Sequence, residues 1–227
     1  KNDYAGAELH LLYWLGEAEA AEKAAALLAV RNELMGLYRK LGRREEALDT
    51  VQKALAHIDA LGIGHQVGAA TTLLNAATVY KAFSMAEASL PLFERARDVY
   101  ERALEATDAR LAGLYNNMAL SLVDLCRYAE AASLYERAIT VLEACGGGEL
   151  EIAISYLNMA SAKESELGLL AADEEIGVLL EKAKALLENF PKKDGYYAFV
   201  CEKCAPSFEY FGYFLTAERL RERSRRI

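Results

Sequence analysis

The sequence predicts an all-α fold built from about five helical hairpins that follow an N-terminal helix. Three observations support this prediction. The 227 residues are rich in Ala, Leu, Glu and Arg and contain only three prolines, a composition that favours helix. A tag of the Glu-Arg-Ala type recurs along the chain, and small residues recur at helical spacing beside it. Matching segments upstream of the tags have anchor residues 42, 42 and 41 residues apart, at Arg31, Leu73, Tyr115 and Tyr156.

Residues 1–27 are predicted to form a helix that caps the array or belongs to a partial repeat. They carry an apolar patch at Leu9, Leu11, Leu12, Trp14 and Leu15. A stacked array of hairpins must cover its terminal hydrophobic face, and a capping helix does so.

Each following unit has the same internal pattern of small and bulky residues. Met35 (an exception in size), Ala77, Ala119 and Ala160 occupy the same place in the first helices. Paired small residues follow in the second helices, with one bulky residue between them: Ala47, Val51 and Ala54; Ser89, Phe93 and Ala96; Ala131, Tyr135 and Ala138. Two antiparallel helices approach closely only where side chains are small, so this pattern predicts tightly packed hairpins.

The last unit contains "VCEKCAPSF", in which Cys201 and Cys204 have the C-x-x-C spacing of a zinc half-site or a redox pair. With Cys201 at the anchor place, Ala205 takes the small place and Phe208 the large one. Free cysteine packs as a small hydrophobe, and zinc would need two further ligands. We therefore predict that both cysteines are core residues. Pro206 predicts a kink or a late helix start.

The pattern "NNMALSL…RYAEAASLYERAITVLE" resembles the tetratricopeptide repeat, and the long repeat resembles those of kinesin light chains. The resemblance implies a right-handed α-solenoid whose first helices line a concave groove. It places one array, a single domain, over residues 28–227, with repeats starting near 28, 70, 112, 153 and 198.

Charge and composition argue against several functions. A net charge of −8 and a pI of about 5.1 disfavour binding to nucleic acid. No apolar run approaches the roughly 20 residues of a membrane span, so we expect no membrane association. Four cysteines in a chain of this size fit reduced thiols in the cytoplasm. The basic C-terminus "RLRERSRRI" is read as a solvated helix end rather than a site for anions.

The sequence indicates no enzyme and predicts no catalytic residue, metal or cofactor. The three histidines, His10, His57 and His65, lie in different elements and lack ligand spacing. The glycine-rich stretch "CGGGE" (145–149) falls between repeats and follows no strand, which argues against a nucleotide-binding loop.

An asparagine recurs two residues after the anchor in three successive repeats, at Asn75, Asn117 and Asn158. Local packing would explain it, but asparagine is a mediocre helix residue, and a repeated one suggests a use. In kinesin-light-chain-like grooves, asparagines at this place bond the backbone of an extended peptide, and the resemblance implies the same here. The first repeat has Glu33 there, beside Asn32. Further residues expected to contact a peptide are Asn32, Arg39, Lys81, Asn116 and Leu120.

The resulting hypothesis is a non-enzymatic module that holds a protein or peptide segment in its groove. Two alternatives remain open. One is a peptide-sensing regulatory module of a larger protein, and the other is a structural scaffold that self-associates into a homo-oligomer.

Overall fold

The computed structural model describes residues 3–227, and within them it contains helices and no strand. The predicted all-α fold is therefore confirmed. The helices are α1 (Tyr4–Ala20), α2 (Ala24–Leu41), α3 (Arg44–Ala60), α4 (Val67–Ala82), α5 (Ala86–Ala103), α6 (Ala109–Asp124), α7 (Tyr128–Cys145), α8 (Glu149–Leu167), α9 (Asp173–Asn189), α10 (Gly195–Tyr210) and α11 (Phe214–Arg225).

The helices after α1 form five consecutive hairpins, α2/α3, α4/α5, α6/α7, α8/α9 and α10/α11, and the two helices of each hairpin are in contact. The first helix of each hairpin begins three or four residues before the predicted repeat start. Asp108 and Asp194 cap α6 and α10, where their side chains accept hydrogen bonds from backbone N–H groups of the first turn.

The chain divides into two compact units. Unit 1 ends at Glu105 and holds α1 to α5; within it, α2 contacts α1, α3 and α4. Unit 2 spans Ala106–Ile227 and holds α6 to α11; within it, α8 contacts α6, α7, α9 and α10. The middle first helix of unit 2, α8, thus contacts the first helices on both sides of it, α6 and α10.

The predicted small-residue register is buried throughout. Met35, Ala77, Ala119, Ala160 and Ala205 are each 0% exposed. The bulky residues of the second helices, Val51, Phe93 and Tyr135, are also fully buried between their small neighbours. The hairpins therefore pack as the sequence pattern requires, with small side chains where the helices approach and larger ones filling the adjacent groove.

The two cysteines of the C-x-x-C stretch lie in the core of unit 2. Cys201 and Cys204 are 0% and 1% exposed and belong to the same hydrophobic cluster as Leu157 and Val200. The helix that carries them begins at Gly195 and runs through Pro206 to Tyr210, so the expected late helix start is wrong. Asp194 explains the early start, because its side chain accepts from the backbone N–H groups of Tyr196 and Tyr197.

No helix within residues 3–227 combines the length and the apolar character needed to cross a membrane. The same residues contain no group of three or more His, Cys, Asp or Glu side chains placed to hold a metal ion.

Candidate functional site

Two of the recurring asparagines lie on neighbouring helices of unit 2. Asn117 on α6 and Asn158 on α8 occupy the same repeat position, and both are half-buried. The Asn117 amide nitrogen donates to the Gly113 carbonyl one turn back, at 2.8 Å, which leaves its side-chain oxygen as an acceptor. No hydrogen bond of the Asn158 side chain is found to the part of the chain that the structure describes. Asn158 can therefore offer both a donor and an acceptor.

The third first helix of unit 2 continues the same stripe with different chemistry. Lys203 on α10 takes the place of the asparagines, and Phe199 and Pro206 lie one turn before and after it. All three are exposed, and Phe199 is 59% exposed. We call this stripe the first-helix face of unit 2; it comprises Asn117 and Leu120 on α6, Asn158 and Ser161 on α8, and Phe199, Lys203 and Pro206 on α10.

Two tyrosines of α10 reach across to α8 and bracket this face. The Tyr196 hydroxyl donates to Glu151 Oε1 at 2.5 Å, and the Tyr210 hydroxyl donates to Glu164 Oε1 at 2.6 Å. The two tyrosines are 14 residues apart, which is about 21 Å along a helix. The bonds hold α10 against α8 at both ends of the face, while the Tyr196 ring stacks on Phe199 with centroids 6.3 Å apart.

The electrostatics keep these tyrosines neutral donors. Burial raises the pKa of Tyr196 well above its ordinary value, and Glu151 raises it further. The hydrogen bond to Glu164 raises the pKa of Tyr210. Glu151 and Glu164 therefore each accept a hydrogen bond from one tyrosine of α10. The first-helix face itself combines amides, aromatic rings and one lysine.

Asn32 and Asn116, both expected to contact a peptide, have their amide nitrogens directed at other helices. Asn32 Nδ2 donates to Thr72 Oγ1 at 3.1 Å, and Asn116 Nδ2 donates to Ser155 Oγ at 2.9 Å. The Oδ1 atoms of both asparagines are buried and have no hydrogen-bond partner. These two side chains link successive first helices, and each uses one of its two N–H donors to do so.

In unit 1, the predicted residues lie on α2 and α4. Asn75 is half-buried on α4, and Arg39 and Lys81 lie in the last turns of α2 and α4. Cations in the last turn of a helix complement its dipole, which gives both residues a local role as well. Leu120, in unit 2, is half-buried on α6, one turn beyond Asn117.

The residues missed by the sequence analysis are those of the fifth repeat. Placing the anchor at Cys201 already puts Lys203 at the asparagine position, so that part of the signal was present in the sequence. The bonds from Tyr196 and Tyr210 to α8 join residues 45 and 46 positions apart, and repeat spacing alone does not predict which side chains meet.

The hairpins, their buried small residues and their aligned first helices define a helical-repeat protein. Residues 24–102 match the family described as tetratricopeptide repeat. No curated protein matches the sequence with comparable significance. Residues 24–102 are thus similar to the tetratricopeptide repeat, and the expected resemblance of the chain to kinesin light chains is confirmed at the level of the fold by solved structures.

BtubC (BKLC) of P. vanneervenii is 20% identical, with a TM-score of 0.70, over 84% of this chain and 77% of that one. A Podosopora anserina protein of the kinesin light chain type, with nearly identical TPR-like repeats, is 17% identical with a TM-score of 0.64, covering 90% of this chain and 95% of that one. A single-substitution variant of the Podosopora anserina protein is 17% identical with a TM-score of 0.63, covering 87% of this chain and 92% of that one. At these identities the likeness shows the fold alone.

Proposed function

We propose that this protein is a non-enzymatic module that holds an extended peptide segment of a partner protein along its first helices. The observation that carries the proposal is the recurrence of Asn117 and Asn158 at one position of adjacent helices in unit 2. Asn75 occupies the same position in unit 1, where it can play the same part. Proteins built from such repeats commonly act by binding protein partners.

The amides suit the backbone of an extended segment. An asparagine side chain presents one acceptor and two donors, which match the C=O and N–H groups that an extended backbone leaves unpaired. Asn117 contributes its oxygen because its nitrogen is already bonded to Gly113, whereas Asn158 contributes both groups. A bound backbone would thus be fixed in register at two neighbouring helices.

The fifth repeat would supply the specificity of this face. Phe199 is an exposed aromatic ring whose neighbour Tyr196 is fixed by Glu151, so the ring pair is pre-organised and loses little entropy on binding. Lys203 adds one positive charge. We expect a bound segment to place an apolar or aromatic side chain on Phe199 and an acidic side chain near Lys203.

A peptide-array screen with the whole protein tests the proposal, followed by titration of the best peptide by fluorescence anisotropy. The double variant Asn117→Ala with Asn158→Ala should lose binding by about tenfold or more, because two backbone bonds are removed. Binding equal to the wild type would contradict the amide role.

Matched controls separate binding from folding. Phe199→Ala should weaken the same peptide, whereas Phe214→Ala should not, although Phe214 on α11 is at least as exposed, at 66%. Neither change should alter the thermal midpoint much, since both rings are mostly in solvent. Equal losses from the two variants would show that the first-helix face is not the binding surface.

Self-association is the second candidate, favoured by the outward side of α1. Leu9, Tyr13 and Trp14 are 73%, 63% and 51% exposed, and grouped apolar surface of this kind often marks an interface. Sedimentation velocity over a wide range of protein concentration distinguishes the two functions. A dimer lost in Trp14→Ser would favour the scaffold; a monomer at all concentrations would exclude it.

We also place the protein in the cytoplasm. Its four cysteines are all free, and two of them are buried, which fits thiols that stay reduced. Localisation of the tagged chain in cells of its source tests this placement.

A further inference from the structure

A second site lies in unit 2, away from the first-helix face. A cavity of about 610 Å³ opens between the end of α7, the glycine loop 146–148, the start of α8 and the second half of α9. Small-molecule pockets typically have volumes of about 300–1,000 Å³, and a cavity of this size has room for a long side chain and part of its backbone. Its apolar walls are formed by Leu142, Ile152, Leu186 and Phe190.

The glycine loop forms a wall without side chains. Gly146 and Gly147 have φ angles of 71° and 86°, in the left-handed region that other residues adopt only with strain. A Cβ atom at Gly148 would lie 2.9 Å from the Leu142 side chain. All three positions therefore require glycine, and a ligand can approach the backbone of the loop directly.

The polar groups of the cavity are mainly acceptors. Glu143 and Glu149 both line it, and the Glu149 Oε2 atom is buried without a hydrogen-bond partner. Burial raises the pKa of Tyr156, and the charge of Glu143 raises it further. Asn189 donates its amide nitrogen to the Ala185 carbonyl and leaves its side-chain oxygen as an acceptor.

One cationic side chain, Lys182, also lines the cavity. Lys182 Nζ is 5.3 Å from the centroid of the Tyr156 ring, and Lys182 itself is exposed. Two carboxylates against one ammonium leave the lining with net negative charge. A carboxylate with a buried, unpaired oxygen is costly, and a cation bound in the cavity beside Glu149 would offset its negative charge.

We propose that this cavity receives an arginine side chain from a segment of a partner protein. A guanidinium is planar and weakly hydrated, stacks on aromatic rings and donates to carboxylates in a fork geometry. The cavity offers Tyr156 and Phe190 as rings and Glu149 and Glu143 as acceptors. A lysine ammonium is more strongly hydrated and would lose more on entering the apolar walls.

The test uses two synthetic tripeptides, acetyl-Leu-Arg-Leu-amide and the same peptide with citrulline in place of arginine. Citrulline keeps the shape of arginine and removes its charge. Titrations into the ¹⁵N-labelled whole protein, followed by NMR, should shift the backbone amides of Gly146, Gly147 and Gly148 with the arginine peptide. The citrulline peptide should bind at least about tenfold more weakly, since the charge-assisted bonds are lost. Equal binding of the two peptides, or shifts confined to other regions, would overturn the proposal.

Variants give a second readout with opposite signs. Glu149→Gln should weaken the arginine peptide by about tenfold, whereas Lys182→Met should leave its affinity unchanged or raise it, because a competing cation is removed. Glu174→Gln is the matched control, since Glu174 is an exposed first-turn glutamate of α9. An equal loss in Glu174→Gln would indicate general attraction to an acidic protein instead of this site.

The site is separable from the proposed peptide face. The double variant Asn117→Ala with Asn158→Ala should bind the arginine peptide as the wild type does. If Glu149→Gln lowers the thermal midpoint strongly, the glycine-loop shifts in the wild-type protein still decide the question.

Discussion

Asn116 on α6 donates its side-chain amide to the hydroxyl of Ser155 on α8, and that hydroxyl in turn donates to the Glu151 carbonyl at 2.9 Å. The same relay joins Asn32, Thr72 and the Gly68 carbonyl in unit 1. In the fourth repeat, the position of Asn116 is taken by Leu157, which shares a hydrophobic cluster with Val200. The same contact between successive first helices is thus made by a polar pair in some repeats and by apolar residues in the fourth.

A double-mutant cycle on Asn116 and Ser155 should expose the energetics of this pair. Ser155→Ala alone should destabilise by about 1–3 kcal/mol, because it leaves a buried amide donor unpaired. In the Asn116→Leu background the same change should cost almost nothing, since the hydroxyl then has no amide to accept from. Urea midpoints of the four proteins measure the coupling. If Ser155→Ala destabilises both backgrounds equally, its effect does not come from the hydrogen bond to Asn116.

The bond between Tyr38 and Glu8 predicts alkaline sensitivity in unit 1. The Tyr38 hydroxyl donates to Glu8 Oε1 at 3.0 Å and ties α1 to α2. Burial, followed by Glu8, raises the pKa of Tyr38 to about 12. The pKa of tyrosine in the unfolded chain is about 10, so the folded state keeps its proton longer. The stabilisation is complete below about pH 10 and is lost as the pH rises to about 12.

Tyr38→Phe should therefore reduce the fall in stability over that pH interval, and at neutral pH it should cost about 1 kcal/mol for the lost bond. Urea unfolding at a series of pH values checks both effects. Tyr13→Phe serves as the control, because Tyr13 is 63% exposed on α1. If the stability of the Tyr38→Phe protein falls over that pH interval as steeply as that of the wild type, the bond to Glu8 is not the cause of the alkaline sensitivity.

The four thiols should fall into two classes of reactivity. Cys126 and Cys145 are exposed, and Cys201 and Cys204 are buried. Burial raises the pKa of Cys201 and raises that of Cys204 to about 12, so almost none of either is thiolate near neutral pH. Titration of the native protein with a chromogenic disulfide should modify two thiols rapidly and the other two only after denaturation. Rapid reaction of all four would place the C-x-x-C pair outside the core.

The core was predictable because packing repeats with the sequence. Ala77, Ala119 and Ala160 recur at fixed spacing, and each must be small wherever two helices of a hairpin approach. The functional surface was less predictable from the sequence. Asn116 and Asn117 are adjacent in sequence, yet one bonds the next helix and the other lies on the first-helix face, a distinction that depends on how α6 and α8 are rotated. The cavity at Glu149 depends on a glycine loop that sequence spacing explains only as a turn.

The turn within each hairpin gives a prediction that combines sequence period and backbone conformation. One residue of every turn has positive φ: Gly42 (70°), Ser84 (60°), Cys126 (58°), Gly168 (83°) and Gly212 (82°). The first three are 42 residues apart. Left-handed backbone disfavours residues with a Cβ atom by about 1–2 kcal/mol, and glycine offsets part of this by its greater freedom when unfolded. Ser84 is exposed, so its side chain contributes little that glycine would lose.

Ser84→Gly should accordingly stabilise unit 1 by about 0.5–1 kcal/mol, and Gly42→Ala should destabilise it by about 1 kcal/mol. Nothing lies within 4 Å of a Cβ atom built on Gly42, so its effect would be purely conformational. Ala82→Gly, two residues from Ser84 at the last position of α4, should instead destabilise by up to about 0.5 kcal/mol. Thermal and urea unfolding of the three variants checks the signs. A stabilising Ala82→Gly, or a destabilising Ser84→Gly, would mean that backbone strain does not govern these turns.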